Sequence, residues 1–199
     1  MSSALRIGAY ALVVLVAGFE LVVFWLMLHP DVPSDYRAYY IDKTTTCLDQ
    51  PVAGTYALGA TIDFTPDGRD IAKPLRVCGW EGPAGDGTHA VGTSARLRFV
   101  FAEPATALRL ELTMVAVNRD SQPAQRVNVS VNGQPVGTFT VTTDPPQDFA
   151  LDLPADLVSK ANGHIEVEFD LPDAIQMRSS DPDNRRRSIK LVSAALIPV

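Results

Sequence analysis

An apolar stretch near the N-terminus constrains this chain more than any other feature of its sequence. Residues 7–28 form 22 consecutive positions that carry one charge, Glu20. As an α-helix with a rise of about 1.5 Å per residue, the stretch is about 33 Å long and crosses a hydrocarbon core of about 30 Å. The sequence therefore predicts one transmembrane helix over residues 7–28.

A cleaved signal peptide is the alternative interpretation of this stretch. Its apolar region is about 7–15 residues long and ends at a small-x-small cleavage site. The stretch is longer, and residues 25–30 offer no such site. We therefore expect an uncleaved anchor, with residues 1–6 in the cytoplasm, a stalk over 29–54 and one globular domain over 55–199.

Basic residues near the span favour a cytoplasmic N-terminus. Arg6 and the terminal amine precede the span, whereas Asp31 and Asp35 follow it. Because basic residues concentrate on the cytoplasmic side, we expect the domain in the periplasm of a bacterial inner-membrane protein.

The cysteine count agrees with that location. Cys47 and Cys78 are the two cysteines of the chain. An even count in an oxidising compartment is typical of a disulfide, and neither cysteine has the CxxC or histidine spacing of a zinc site. We expect a Cys47–Cys78 disulfide, no metal site and no cofactor.

Glu20 is the unusual residue of the span, because an ionisable group in hydrocarbon is costly. One interpretation is that it is protonated or reaches towards the interface. The other is that Ala17, Glu20 and Phe24, which share a helical face, contact a helix of another membrane protein; the small Ala17 permits close approach. We favour the partner helix.

Two-residue alternation of apolar and polar residues dominates the region after the stalk. Asn132-Gly133 between two apolar runs is a strong hairpin signal. Short strands with turn residues every 8–12 positions predict an all-β, antiparallel two-sheet sandwich, jelly-roll-like, preceded by the transmembrane helix. The predicted strands cover 55–64, 75–80, 94–101, 107–117, two segments within 126–141, then 148–153, 164–171 and 188–197, with a helix over 154–163.

The stalk contains three tyrosines, Tyr36, Tyr39 and Tyr40. They fit either a belt at the membrane interface or a segment that packs on the domain, and we favour packing.

The charge balance excludes some partners. From residue 31 on, the chain has 22 acidic and 16 basic residues. A nucleic-acid binder needs a basic face, so nucleic acid is excluded as a partner, and so is a strong polybasic contact with anionic lipid.

The sequence shows no catalytic centre. None of the motifs HExxH, GxSxG, GxGxxG or the phosphate-binding loop occurs, and no pair of carboxylates is singled out. We interpret five acidic residues as solvated loop charges and predict that the protein is not an enzyme. These residues are Asp63, Asp67, Asp70, Glu81 and Asp86.

Two segments hold candidate ligand contacts. Trp80 offers a ring face to a sugar, although a tryptophan two residues after a disulfide cysteine is often part of the core. The run 185–187 is three arginines, which grip anionic groups well, and strand alternation sends Arg185 and Arg187 one way and Arg186 the other.

A calcium site is an alternative for the residues just before the arginines. Asp181, Asp183 and Asn184 offer oxygen ligands. We favour an ordinary turn in which Asp183 pairs with Arg185 or Arg186.

Several short motifs also occur in a characteristic order: Gly79-Trp80, Gly87-Thr88, Val131-Asn132-Gly133, and Asp183 with Arg185. Residues 55–199 thereby resemble a β-sandwich domain of unknown function found in bacterial envelope proteins. That domain is often fused to membrane glycosyltransferases and is similar to galactose-binding-like jelly rolls.

The resemblance implies work on polysaccharide or envelope glycan, with Trp80, Asp183 and Arg185 as carbohydrate-binding residues. One position departs from the family pattern, which has an aromatic residue after Gly-Thr where this chain has His89.

The expected function is a non-catalytic accessory subunit. Its helix docks on a polytopic membrane glycosyltransferase or polysaccharide synthase, and its sandwich contacts that enzyme or the emerging glycan. The alternatives are a stand-alone anchored carbohydrate-binding module and a structural subunit of an unrelated membrane complex.

Overall fold

The computed structural model describes residues 3–33, 36–41, 47, 54–102, 105, 107–117, 124–176 and 185–199. The predicted residues Asp181, Asp183 and Asn184 lie outside these ranges.

The apolar stretch forms one continuous helix, α1 (Ser3–Leu28). Its part from Arg6 to Leu28 is long and apolar enough to cross a membrane, with a mean hydropathy of 2.6, and a signal sequence has the same properties. Every side chain described along α1 is exposed. A π-helical turn, Arg37–Ile41, follows it.

The described part of residues 54–199 is a sandwich of two antiparallel sheets. Sheet A has the order β3-β4-β12-β6-β9, with β1 and β11 also paired to β12, and sheet B has the order β2-β5-β10-β7-β8. The strands are β1 (Ile62–Asp63), β2 (Arg76–Cys78), β3 (Trp80–Ala84), β4 (Gly87–Val91), β5 (Ser94–Val100), β6 (Leu108–Ala116), β7 (Ala124–Val131), β8 (Gln134–Thr142), β9 (Gln147–Leu153), β10 (His164–Asp170), β11 (Ile175–Gln176) and β12 (Arg186–Pro198). Two short helices, α2 (Arg69–Ala72) and α3 (Ala155–Lys160), connect strands.

The predicted fold class is confirmed. Chain connections repeatedly cross between the sheets, as β4 to β5 to β6 does, which is the jelly-roll pattern. The predicted hairpin joins β7 to β8, and its turn residues Asn132 and Gly133 have φ values of 47° and 78°. Positive φ at both central residues defines the tight hairpin turn that this dipeptide favours.

The core lies between the sheets and is built by alternation. On β5, Ala95, Leu97 and Phe99 are fully buried. On β10, Val167 and Phe169 face the same interior. Each buried Val, Leu or Phe side chain of this kind contributes about 1.5–3 kcal/mol.

The predicted strand over 55–64 is mostly wrong. Only Ile62–Asp63 is a strand, because the chain turns at Gly59, whose φ is 85°. The buried Tyr56 holds this turn by donating its hydroxyl hydrogen to the carbonyl of Ala60 at 2.5 Å. Strands β3, β4 and β11 were not predicted, since each is short or interrupted by glycine and proline.

The preferred packing of the stalk tyrosines on the domain is also wrong for Tyr36 and Tyr40. Both are exposed and contact each other. The side chain of Tyr39 lies outside the described residues.

The predicted disulfide joins Cys47 to Cys78, whose Cα atoms lie 5.2 Å apart. It ties the segment before the sandwich to β2, at the edge of sheet B. Disulfides are typical of proteins outside the cytoplasm, and this one agrees with the predicted location.

Candidate functional site

The motif residues of sheet A converge at one region, whereas Val131-Asn132-Gly133 lies at the β7–β8 turn of sheet B. Trp80 on β3 pairs with Ala90 on β4, and Val91 on β4 pairs with Arg187 on β12. The Gly92 amide donates to the carbonyl of Arg186 at 2.9 Å. Residues 79–80 and 87–92 therefore lie close to residues 186–187, which come about a hundred positions later in the chain.

Trp80 points into the sandwich. Its ring lies edge-on to Phe169 at 5.6 Å and tilted to Phe64 at 6.4 Å. Its indole Nε1 donates to the carbonyl of Arg96 at 2.8 Å. The partly exposed ring thus closes one corner of the core, and its contact with a sugar stays a prediction.

The other predicted contacts also remain untested. Arg185 is partly exposed just before β12. Ala17, Glu20 and Phe24 are exposed on α1. Their roles with carbohydrate and with a partner helix stay predictions.

A bulge in β12 determines which of its side chains face outward. The register with β4 shifts between Arg187 and Lys190. Ser188 and Ile189 inside the bulge are both fully buried. In a regular strand, residues three apart point to opposite faces, whereas here Arg187 and Lys190 both reach the outer face of sheet A.

Arg187 and Lys190 lie beside a histidine on the outer face of sheet A. His89 on β4 pairs directly with Lys190, so both side chains lie on the outer face. Arg187 donates from its terminal nitrogen to Glu81 Oε1 at 2.6 Å, and Lys190 bonds to Asp86. We call Glu81, Asp86, His89, Arg187 and Lys190 the His89 platform.

The charges of the His89 platform balance, since two carboxylates face two cations. Burial lowers the pKa of His89, while the carboxylates of Glu81 and Asp86 oppose that shift and the cations reinforce it. The imidazole is therefore neutral at neutral pH. Lys190 lowers the pKa of Asp86 through their hydrogen bond.

His89 is also incompletely satisfied. Its Nδ1 is buried and has no hydrogen-bond partner within the described part of the chain. An unmet buried polar nitrogen costs about 1–3 kcal/mol, so native proteins rarely retain one without a reason.

The His89 platform offers binding chemistry. It presents donors and acceptors without net charge, which suits a neutral ligand rich in hydroxyl groups. Among the described residues, no group of three or more His, Cys, Asp or Glu is arranged to hold a metal ion.

Local sequence patterns did not predict this site. Glu81 was interpreted as a solvated loop charge, but its side chain is only 15% exposed and lies against Arg187, which is 16% exposed. The side chain of Asp86 is 63% exposed, as expected of a loop charge, although it pairs with Lys190. The one useful signal was the departure from the family pattern at His89, which marked the position without revealing its neighbours.

Two other surfaces are less suited to a ligand. On the outer face of sheet B, neighbouring polar side chains bond to one another, as Arg98 does to Glu166 at 2.6 Å and Asn128 to Asp170 at 2.8 Å. A cavity of about 390 Å³ near α3 has no charged side chain among the described residues that line it. It is lined by Phe101, Ala102, Ala105, Val158, Ser159, Asn162 and Gly163.

No protein-family model and no curated protein matches this chain. Among solved structures, it is similar to the CBM36-1 domain of a multidomain xylanase from the hindgut metagenome of Trinervitermes trinervoides. The identity is 12% over 70% of this chain and 98% of that one, with a TM-score of 0.37.

Two further solved structures are similar to this chain. One is the carbohydrate-binding module CBM36 in complex with calcium and xylotriose, at 14% identity over 76% of this chain and 98% of that one, with a TM-score of 0.36. The other is CsCBM6-3 from Clostridium stercorarium in complex with cellobiose, at 9% identity over 77% and 94%, with a TM-score of 0.35. At TM-scores this low, these similarities do not assign a ligand to this chain.

Proposed function

We propose that this protein is a single-pass, membrane-anchored module without catalytic activity, and that its His89 platform binds a neutral carbohydrate. The observation that carries the proposal is the partly exposed imidazole of His89, which lies at the centre of a surface where two carboxylates pair with two cations.

The ion pairs fix the geometry of the His89 platform. The carboxylate of Glu81 accepts hydrogen bonds from Nε and a terminal nitrogen of the Arg187 guanidinium, at 2.6–3.2 Å. Paired in this way, the four charged groups hold their orientation, and Asp86, whose side chain is 63% exposed, presents its carboxylate to a ligand. Sugar hydroxyls both donate and accept, so they match such a mixed surface.

The local charge argues for a neutral ligand. An acidic polymer would be repelled by Glu81 and Asp86 as strongly as it is attracted by Arg187 and Lys190. Val115, which pairs with Lys190 on the same face, is partly exposed and adds apolar surface for the carbon skeleton of a sugar ring.

The test is calorimetric titration of the full-length protein in a detergent whose headgroup is not a sugar. The probes are neutral oligosaccharides, including xylotriose and cellobiose, and an acidic polymer is titrated in parallel. We expect a neutral oligosaccharide to bind and His89→Ala to weaken it about tenfold, which corresponds to about 1.4 kcal/mol.

His164→Ala is the matched control, since His164 is exposed on sheet B, far from the His89 platform in the strand order. It should leave the affinity unchanged. Binding of the acidic polymer alone, or equal affinity of the wild type and His89→Ala, contradicts the proposal.

A second candidate is the accessory subunit of a polytopic glycosyltransferase or polysaccharide synthase. The observation that favours it is the exposure of Glu20 on α1, together with Ala17 and Phe24 on the same face. A carboxylic acid inside a bilayer is stabilised by a polar partner on a neighbouring helix.

This candidate is tested by purification of the tagged full-length protein in mild detergent. A multi-span glycosyltransferase should co-purify with the wild type and be lost from Glu20→Leu. Val22→Leu, a conservative change on the opposite face of α1, is the control. Equal recovery of such an enzyme with wild type and Glu20→Leu contradicts docking through Glu20.

A further inference from the structure

The segment directly after α1 is ordered by aromatic contacts. At the end of the helix, the rings of Trp25 and His29 stack with centroids 4.7 Å apart. The His29 amide donates to the carbonyl of Trp25 at 3.0 Å, which caps the last turn of the helix. The helix therefore ends in a pair of amphipathic rings.

Arg37 ties the following π-helical turn to the end of α1. Its amide donates to the carbonyl of Pro33 at 2.9 Å, and its guanidinium donates to the carbonyl of Pro30 at 3.1 Å. Because Pro30 lies two residues after Leu28, the beginning of the turn stays close to the helix end. An extended chain from Leu28 to Arg37 would reach about 30 Å.

The turn presents an exposed aromatic and apolar surface. Tyr36 and Tyr40 have ring centroids 4.7 Å apart. Tyr36 is 48% exposed, Tyr40 is 62% exposed and Ile41 is 43% exposed. Three large side chains grouped in this way remain in water only at a cost, so a covering surface is expected.

The adjacent bilayer is the surface that covers them. The headgroup region adds about 5–7 Å on each side of the hydrocarbon core. A turn fixed to the end of the membrane-spanning helix lies at that depth. Tyrosine combines an apolar ring with a hydroxyl that reaches water, which is why it concentrates there. The Arg37 guanidinium adds a positive charge at the level of lipid phosphates.

We infer that Tyr36, Tyr40 and Ile41 insert into the lipid headgroup layer and form a second membrane contact beside the span. The partner is the lipid surface itself. The contact rests on the proposed membrane anchor, restrains the chain where it leaves the bilayer, and is independent of the His89 platform.

The test uses the full-length protein in phosphatidylcholine vesicles with a single tryptophan at position 40. The chain has two tryptophans, so Trp25→Phe and Trp80→Phe combined with Tyr40→Trp give that protein. Emission is compared with and without lipids brominated next to the headgroup. We expect brominated lipid to quench most of the emission from position 40.

Two controls accompany this variant. A protein that retains only Trp80 should be unaffected by the bromine, and one that retains only Trp25 should be quenched, which reports insertion of the span itself. Unquenched emission from position 40 beside quenched Trp25 overturns the inference and leaves the anchor intact. If Trp80→Phe prevents folding, Trp80 is kept and its unquenched emission is subtracted.

Discussion

Replacement of Trp80 separates its two interpretations, as part of the core or as a sugar-stacking surface. Its ring packs against Phe64 and Phe169, and its Nε1 donates to the carbonyl of Arg96. Truncation of a buried aromatic residue costs about 3–5 kcal/mol. Because Trp80 is partly exposed, we expect Trp80→Ala to lower the free energy of unfolding by about 3 kcal/mol.

Trp80→Phe divides this cost between packing and hydrogen bonding. The smaller ring keeps most of the contact with Phe169 and loses the indole hydrogen bond. We expect a loss of about 1–2 kcal/mol, most of it from the lost hydrogen bond between the indole and the carbonyl of Arg96.

The assay is thermal unfolding of the full-length protein in detergent, followed by near-ultraviolet circular dichroism of the sandwich. A loss of 1 kcal/mol lowers Tm by about 2–4 °C in a domain of this size, so Trp80→Ala should melt about 6–12 °C below the wild type. Trp25→Phe, at the exposed end of α1, is the control and should leave this transition in place. A wild-type Tm for Trp80→Ala together with lost saccharide binding would refute the core interpretation.

Three further changes test the structure. Gly79→Ala should lower the free energy of unfolding in urea by more than about 1 kcal/mol, because Gly79 has a φ of 77° and a Cβ there would lie 2.3 Å from a backbone oxygen. The control is Gly82→Ala, whose Cβ would meet nothing within 4 Å, and it should be nearly neutral. Replacement of both Cys47 and Cys78 by serine should lower the free energy of unfolding by about 3–4 kcal/mol, since the bridge closes a loop with a sequence separation of 31. Equal unfolding midpoints of the wild type with and without reductant would contradict this. His89 has a pKa below its ordinary value in the folded protein, so as the pH drops the imidazole is protonated in the unfolded chain before it is protonated in the folded one. Stability should therefore fall as the pH drops below about 6.5. His89→Gln should remove this part of the pH dependence, and an unchanged profile would argue against a neutral, desolvated ring.

The fold could be predicted from local patterns because they coincide with the tertiary structure. On β5, Arg96 and Arg98 alternate with buried residues, and that period of two places them on the outer face of sheet B. At the β7–β8 turn, Asn132 and Gly133 specify the geometry without any distant contact. The strand over 55–64 failed because Tyr56 bonds to Ala60 and to Leu196, and the distant Leu196 leaves no trace in the local sequence.

The candidate site could not be predicted in the same way, because its contacts are long-range. Glu81 and Arg187 are 106 positions apart, and Asp86 and Lys190 are 104 apart. A carboxylate seen alone in a stretch rich in glycine is ordinarily a solvated charge. Glu81 and Asp86 come close to Arg187 and Lys190 only because β4 pairs with β12.

The bulge in β12 shows how core packing sets the surface. Ser188 donates to the fully buried Gln125 at 2.9 Å, and Ile189 is fully buried beside it, so two successive residues satisfy interior contacts. A regular strand cannot turn two neighbours inward, and the register slips by one position as a result. That slip brings Lys190 to the side of Arg187 and next to His89. The His89 platform is therefore a consequence of interior packing at Ser188 and Ile189, which alternation counted along the sequence does not reveal.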